Sequence, residues 1–138
     1  METKPIIRLV CSKLSPDLLK KEYRKENINN PMYGHCYVAS EVIFHILEAL
    51  RPNQYAPFRG KDENGTNHWW IVEISTGKIL DATAQQYFSK GVSPPYEKGR
   101  KCCFLTKNPS KRAQILLKRI GLLAKLVDGQ FQKVLRDR

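Results

Sequence analysis

A chain of 138 residues, 41% hydrophobic and 27% charged, is sized for one domain and is neither disordered nor membrane-like in composition. Twenty-four basic against thirteen acidic side chains leave a net charge of +11, which favours an acidic or polyanionic partner without naming one. The longest apolar stretches, Tyr37 to Leu50 and Ile115 to Val127, are interrupted by charged or polar residues, which excludes a spanning helix there, and Ile6-Ile7 is followed at once by Arg8, so no secretory signal is expected.

The expectation is therefore a cytoplasmic protein with no membrane partner. Its four cysteines, Cys11, Cys36, Cys102 and Cys103, would be kept reduced there and so available for chemistry.

In chain order, Ser15-Pro16-Asp17 ahead of Leu18, Leu19 and Tyr23 predicts a helix start, ended by Asn27 to Pro31. After a loop closing on Gly34, Cys36 to Leu50 sets Val38, Val42, Ile46 and Ala49 at helical spacing, widened by Ile43, Leu47 and Leu50. Arg51-Pro52-Asn53 stops that helix, Tyr55 to Arg59 is extended, and Lys61 to Thr66 is a turn. His68 to Ile74, rich in aromatic and β-branched residues, turns through Ser75-Thr76-Gly77-Lys78 into Ile79 to Thr83 as a β-hairpin. A short turn or helix near Ala84 to Phe88, a rigid loop from Gly91 to Gly99 and a strand over Cys102 to Thr106 follow. Asn108-Pro109 opens a long basic helix with Ala113, Leu116, Leu117, Ile120, Leu123 and Val127 on one face. The result is a single α+β domain over 1–138, with a catalytic-type region at about 28–107 and a helical segment at 108–138.

A thiol at a helix start has its thiolate stabilised by the helix dipole and by free N–H groups, which can also receive an oxyanion. Cys36 has that placement. A general base must come from elsewhere in the fold, and His68, starting a strand after a flexible turn, is the candidate. Asp81 on the next strand could orient its imidazole. With a two-residue Thr76-Gly77 loop, however, Asp81 would pair with Val72, four residues and about 13 Å along the strand from His68. Either a wider loop, a bulge or twist closes that gap, or Gln85, which this register sets opposite His68, is the orienting group.

The runs Gly34-His35-Cys36-Tyr37, Asn67-His68-Trp69-Trp70 and Leu80-Asp81-Ala82-Thr83 resemble the transglutaminase-like branch of the papain-like superfamily. There a cysteine helix is followed by His-x-Trp on one strand and Asp-x-Thr on the next. The chain is also similar to small bacterial and phage proteins of the YunG type, whose Asp-x-Thr-x-x-Gln element matches Asp81, Thr83 and Gln86. The resemblance implies a papain-like fold and a Cys36-His68-Asp81 triad, with Gln86 in a supporting role. It also implies a side-chain amide at Asn30, six residues before the cysteine, for the oxyanion.

The expected activity is acyl transfer through a thioester, either to water (peptidase, amidase or deamidase) or to an amine (transglutaminase), on a protein or peptide substrate. The alternative is an inactive papain-like scaffold that binds nucleic acid or a partner protein through its basic surface. Tyr33, His35, Trp69 and Trp70 are candidates to line the cleft, and Tyr96 beside Pro94-Pro95 to cover it. No cofactor is called for. Metal-ligand spacings such as Cys-x-x-Cys, His-x-Glu and His-Glu-x-x-His are absent, so no metal is assigned. Lys107, Lys111, Arg112, Lys118, Arg119 and Lys125 could track phosphates, although such a face is usually only solvated.

Overall fold

A computed structural model of the chain describes residues 3–19, 21 and 34–121. Near its start, Ile6 and Val10 lie one helical turn apart and are both buried on α1 (Lys4–Ser12), a helix not expected from the sequence. Where a helix was expected from Ser15, the chain forms a 3₁₀ turn at Pro16–Leu18 and is helical at Lys21. Ser15 does not cap it. Its hydroxyl donates to Asp17 and accepts from Arg119 at 2.8 Å, while Arg119 also ion-pairs with Asp17. That guanidinium bond, helped by Ser15, holds the Asp17 carboxyl down to about 2.

The central element is α2 (Cys36–Leu50). Val38, Ala39, Val42, Ile43, Ile46 and Leu47 are buried on it, so the helix is packed on most of its circumference. Ala49, assigned to the stripe from spacing, is instead exposed.

A four-stranded antiparallel sheet packs on α2 in the order β3-β2-β1-β4, with β1 (Tyr55–Lys61), β2 (Asn67–Glu73), β3 (Ile79–Leu80) and β4 (Arg100–Lys101). The strand expected at Cys102 to Thr106 falls earlier and is shorter. Cys102 N–H still reaches Pro57 O at 3.0 Å, after which Phe104 leaves the sheet to stack on Trp69 and Leu105 is exposed. Packing against an aromatic, rather than a ladder, explains the apolar run there.

The short helix α3 (Gln85–Phe88) lies where a turn or helix was expected. The basic helix is α4 (Lys111–Arg119), with Ala113, Leu116 and Leu117 buried on it and Ile120 buried just beyond. Leu123, Lys125 and Val127, expected on the same helix, lie outside the described residues. The start of α4 is tied to the core through a buried carboxylate: Glu41 on α2 accepts from Ser110 N–H at 2.8 Å and from its hydroxyl at 2.7 Å. Ser110 Oγ in turn accepts from Ala113 N–H at 3.2 Å, which caps the helix. Among the described residues no helix is long and apolar enough to cross a membrane.

Candidate active site

Gly34 adopts φ 81°, a left-handed conformation that glycine takes at little cost, and turns the chain into α2. His35 is the N-cap, Cys36 the first helical residue, and His35 O accepts the Ala39 N–H at 2.9 Å. The first N–H groups of an α-helix have no partner within it, so Cys36 lies where an anion is best received. Its sulfur is half-buried, 3.7 Å from Asn67 O at the head of β2.

The next residue of β2, His68, is fully buried. Tyr87 meets its ring edge-on at 4.7 Å, and Trp70 covers it at 5.6 Å. Nε2 is 2.6 Å from Asp81 Oδ2. Burial alone would drive the imidazole toward its neutral form, but the bond to Asp81 and the electrostatic influence of Asp81 and Cys36 outweigh it and hold His68 up to about 9.

The turn after β2 decides whether Asp81 reaches His68. Glu73 N–H bonds Lys78 O at 2.9 Å and Gly77 N–H bonds Glu73 O at 2.8 Å, so the loop is Ile74–Gly77 rather than Thr76-Gly77 alone. Ile71 therefore pairs with Leu80 and Val72 with Ile79. Asp81 follows one step beyond Leu80, opposite Trp70, which leaves it about 7 Å along the strand from His68, half the expected gap. The wider loop is the device that closes the site. Gln85, the alternative orienting group, is instead exposed at the start of α3.

Asp81 is almost closed to solvent, its side chain 4% exposed, and its carboxylate is well partnered. Oδ1 accepts Thr83 N–H at 3.1 Å, with the Thr83 hydroxyl at 3.5 Å. Oδ2 accepts both His68 and the Tyr96 hydroxyl, the latter at 2.8 Å. The Asp-x-Thr spacing is thus a local turn in which the backbone at Thr83 fixes the carboxylate. Gln86 is buried, its amide nitrogen 3.1 Å from Thr83 Oγ1 and 3.4 Å from His68 Nδ1. An amide donor suits the neutral imidazole there, whereas a thiolate suits the imidazolium.

A cleft of about 850 Å³ opens in front of Cys36, with Tyr37, Trp69, Gln86, Tyr87 and Pro95 among its walls. Trp69 lines it as expected from the sequence. Trp70 and His35 do not: Trp70 lies beneath the Tyr96 ring and His35 is fully buried, because β2 and the helix start each turn those side chains inward. Asn30 and Tyr33 lie outside the described residues. Tyr87, absent from the expected site, bonds Asp62 Oδ2 at 2.9 Å and so joins the β1–β2 turn to the face of His68. The signal available for it was only its place next to Gln86.

The remaining cysteines sit elsewhere. Cys11 donates to Ala82 O at 3.2 Å and Cys102 to Pro57 O at 3.6 Å, and burial raises both thiols above their ordinary range. Cys103 is exposed, and all four thiols are free. Among the described residues no group of three or more His, Cys, Asp or Glu side chains gathers as a metal site.

His35 carries a separate prediction. Neither ring nitrogen has a hydrogen-bond partner, and burial, opposed by the charge of Asp17, lowers it to about 4. Its folded value lies below the unfolded 6.5, so its contribution to stability is present above that pH and is lost as pH falls toward 4. Acidification over that window should cost the wild type at most about 3 kcal/mol more than His35→Leu. Urea unfolding at several pH values checks this, and parallel profiles would contradict it.

The chain matches no protein-family model, no curated protein and no solved structure.

Proposed function

We propose that the chain is a cysteine-dependent acyl-transfer enzyme of papain-like or transglutaminase-like type, with Cys36 as nucleophile, His68 as its acid–base partner and Asp81 as the orienting carboxylate. The observation that carries this reading is His68, bonded to Asp81 at 2.6 Å through Nε2 and directly following Asn67, whose carbonyl lies 3.7 Å from the Cys36 sulfur at the start of α2. Burial of a histidine beside a carboxylate occurs in structural pairs too, but the thiol on the other side and the cleft in front favour chemistry.

In this mechanism the pair reacts with its one shared proton on His68, held up to about 9, so that an imidazolium stands beside Cys36 as the sulfur attacks. The Cys36 sulfur attacks the acyl carbon, and N–H groups at the start of α2 receive the oxyanion. The C–X bond breaks as His68 gives its proton to the leaving group, leaving a Cys36 thioester. Neutral His68 then takes a proton from the second acceptor, whose oxygen or nitrogen attacks the thioester and frees the sulfur. Water as acceptor gives a peptidase, amidase or deamidase, and an amine gives a transglutaminase. A protein or peptide segment suits the size of the cleft, and a cytoplasmic setting suits four free thiols.

The test is acylation by p-nitrophenyl acetate, followed by mass spectrometry. Acetyl should accumulate on Cys36 and turn over, and Cys36→Ser should release nitrophenol at the background rate. Acetylation spread evenly to the exposed Cys103, or release unchanged in the variant, would sink the reading.

A further inference from the structure

The segment from Pro94 to Lys98 forms one wall of the cleft through Pro94, Pro95, Glu97 and Lys98. Tyr96, in the middle of it, turns away from the cleft toward the triad. Its hydroxyl donates at 2.8 Å to Asp81 Oδ2, the oxygen that also lies 2.6 Å from His68 Nε2.

The position of that hydroxyl is fixed by packing. The Tyr96 ring stands edge-on to Trp70 at 5.1 Å, and the Tyr96 N–H bonds Pro94 O at 2.9 Å just ahead of the 3₁₀ turn Tyr96–Lys98. Two glycines let this segment close over β1 and β2. A Cβ on Gly99 would collide with the Trp70 ring, and one on Gly60 would come within 2.8 Å of Pro95 O.

A donor on a carboxylate oxygen stabilises its charge and draws electron density from whatever else that oxygen holds. Burial and the Asp81 charge push the Tyr96 hydroxyl above its ordinary range, so it stays a donor wherever His68 titrates. Of the Asp81 partners, Thr83 meets Oδ1, whereas Tyr96 shares Oδ2 with His68.

We propose that Tyr96 is a positioning residue for this site: its hydroxyl fixes the Asp81 carboxylate, moderates its pull on the His68 proton, and ties the cleft wall to the triad. This rests on the proposed Cys36-His68-Asp81 unit and adds to it a group that tunes its protonation through Asp81.

Tyr96→Phe in the full chain keeps the ring on Trp70 and deletes only the donor. The His68 ring titration is read by NMR, with Cys36 alkylation by iodoacetamide measured beside it. Without the donor Asp81 should hold the His68 proton more tightly, raising the midpoint by about half a pH unit or more. In the Asp81→Asn background the same change should add nothing. 3-Fluorotyrosine placed at position 96, a stronger donor of nearly the same shape, should move the midpoint down, which keeps the proposal testable if Tyr96→Phe folds poorly.

An unmoved midpoint in both variants, or a shift that persists with Asp81→Asn, overturns the proposal and assigns Tyr96 to packing alone. If Cys36 alkylation proves indifferent to His68→Ala, the acyl-transfer reading falls, while the titration still decides what Tyr96 does to His68.

Discussion

Asp81→Asn is expected to remove about 3 kcal/mol of stability at neutral pH, and with it the pH dependence of stability in the alkaline range. In the wild type the folded His68 is held up to about 9 against 6.5 when unfolded. A group raised in this way contributes fully below about 6.5, and its contribution is lost as pH rises through about 9. Burial, the largest single influence on His68, acts in the opposite direction and is overcome by the Asp81 bond with the help of Cys36. Without the carboxylate charge, burial is expected to prevail and His68 to fold neutral at pH 7. Cys11 and Cys102, whose thiols burial raises, add a decline of the same sign only at higher pH, and Cys11 owes part of its rise to Asp81, so the difference between the two proteins reports His68 at pH 6 to 8. Urea unfolding at pH 6, 7, 8 and 9 measures it. Curves that fall in parallel would show that Asp81 does not govern the His68 proton.

The second large effect is kinetic. His68→Ala should lower the rate of Cys36 acylation by p-nitrophenyl acetate by about 10²- to 10⁴-fold, the range over which a positioned acid–base group acts. Among the described residues His68 is the basic side chain that bonds Asp81, at 2.6 Å, and it directly follows Asn67, whose carbonyl lies 3.7 Å from the Cys36 sulfur. The variant also takes the imidazole from a buried carboxylate that keeps Thr83 and Tyr96 as donors. His68→Gln, which refills most of the space, separates a folding defect from a loss of chemistry. A drop smaller than about tenfold in both variants would assign His68 to structure.

Much of this candidate site is legible in the sequence, because three short runs carry it and each sits at the end of an element. Gly34 before Cys36 marks a helix start, and the Asn67-His68 step marks a strand start. Asp81 with Thr83 marks a turn that fixes its own carboxylate. What misled was the hairpin. Ser75-Thr76-Gly77-Lys78 suits a tight turn on composition, yet the hydrogen bonds that widen it to Ile74–Gly77 run between Glu73, Gly77 and Lys78 backbones, which side-chain identity does not encode. One such difference moves Asp81 from opposite Val72 to opposite Trp70 and removes the need for Gln85. α1 was missed because two buried positions, Ile6 and Val10, make a short stripe that tertiary packing completes rather than local propensity. Cys102 to Thr106 was misassigned because an apolar run does not say whether it enters a ladder or packs on an aromatic ring. Tyr87 and Tyr96 were not assigned roles at His68 and Asp81 because both act across the fold, Tyr96 through a loop closed down by Gly60 and Gly99.

The central claim is that His68 activates Cys36, and the most direct measurement is alkylation of every cysteine by limiting iodoacetamide across pH, read site by site by mass spectrometry in wild type and His68→Ala. Cys36 should outreact Cys11, Cys102 and the exposed Cys103 at neutral pH, and should lose that lead in the variant. If Cys36 reacts no faster than Cys103, or keeps its lead without His68, the pair is not a nucleophile and its base.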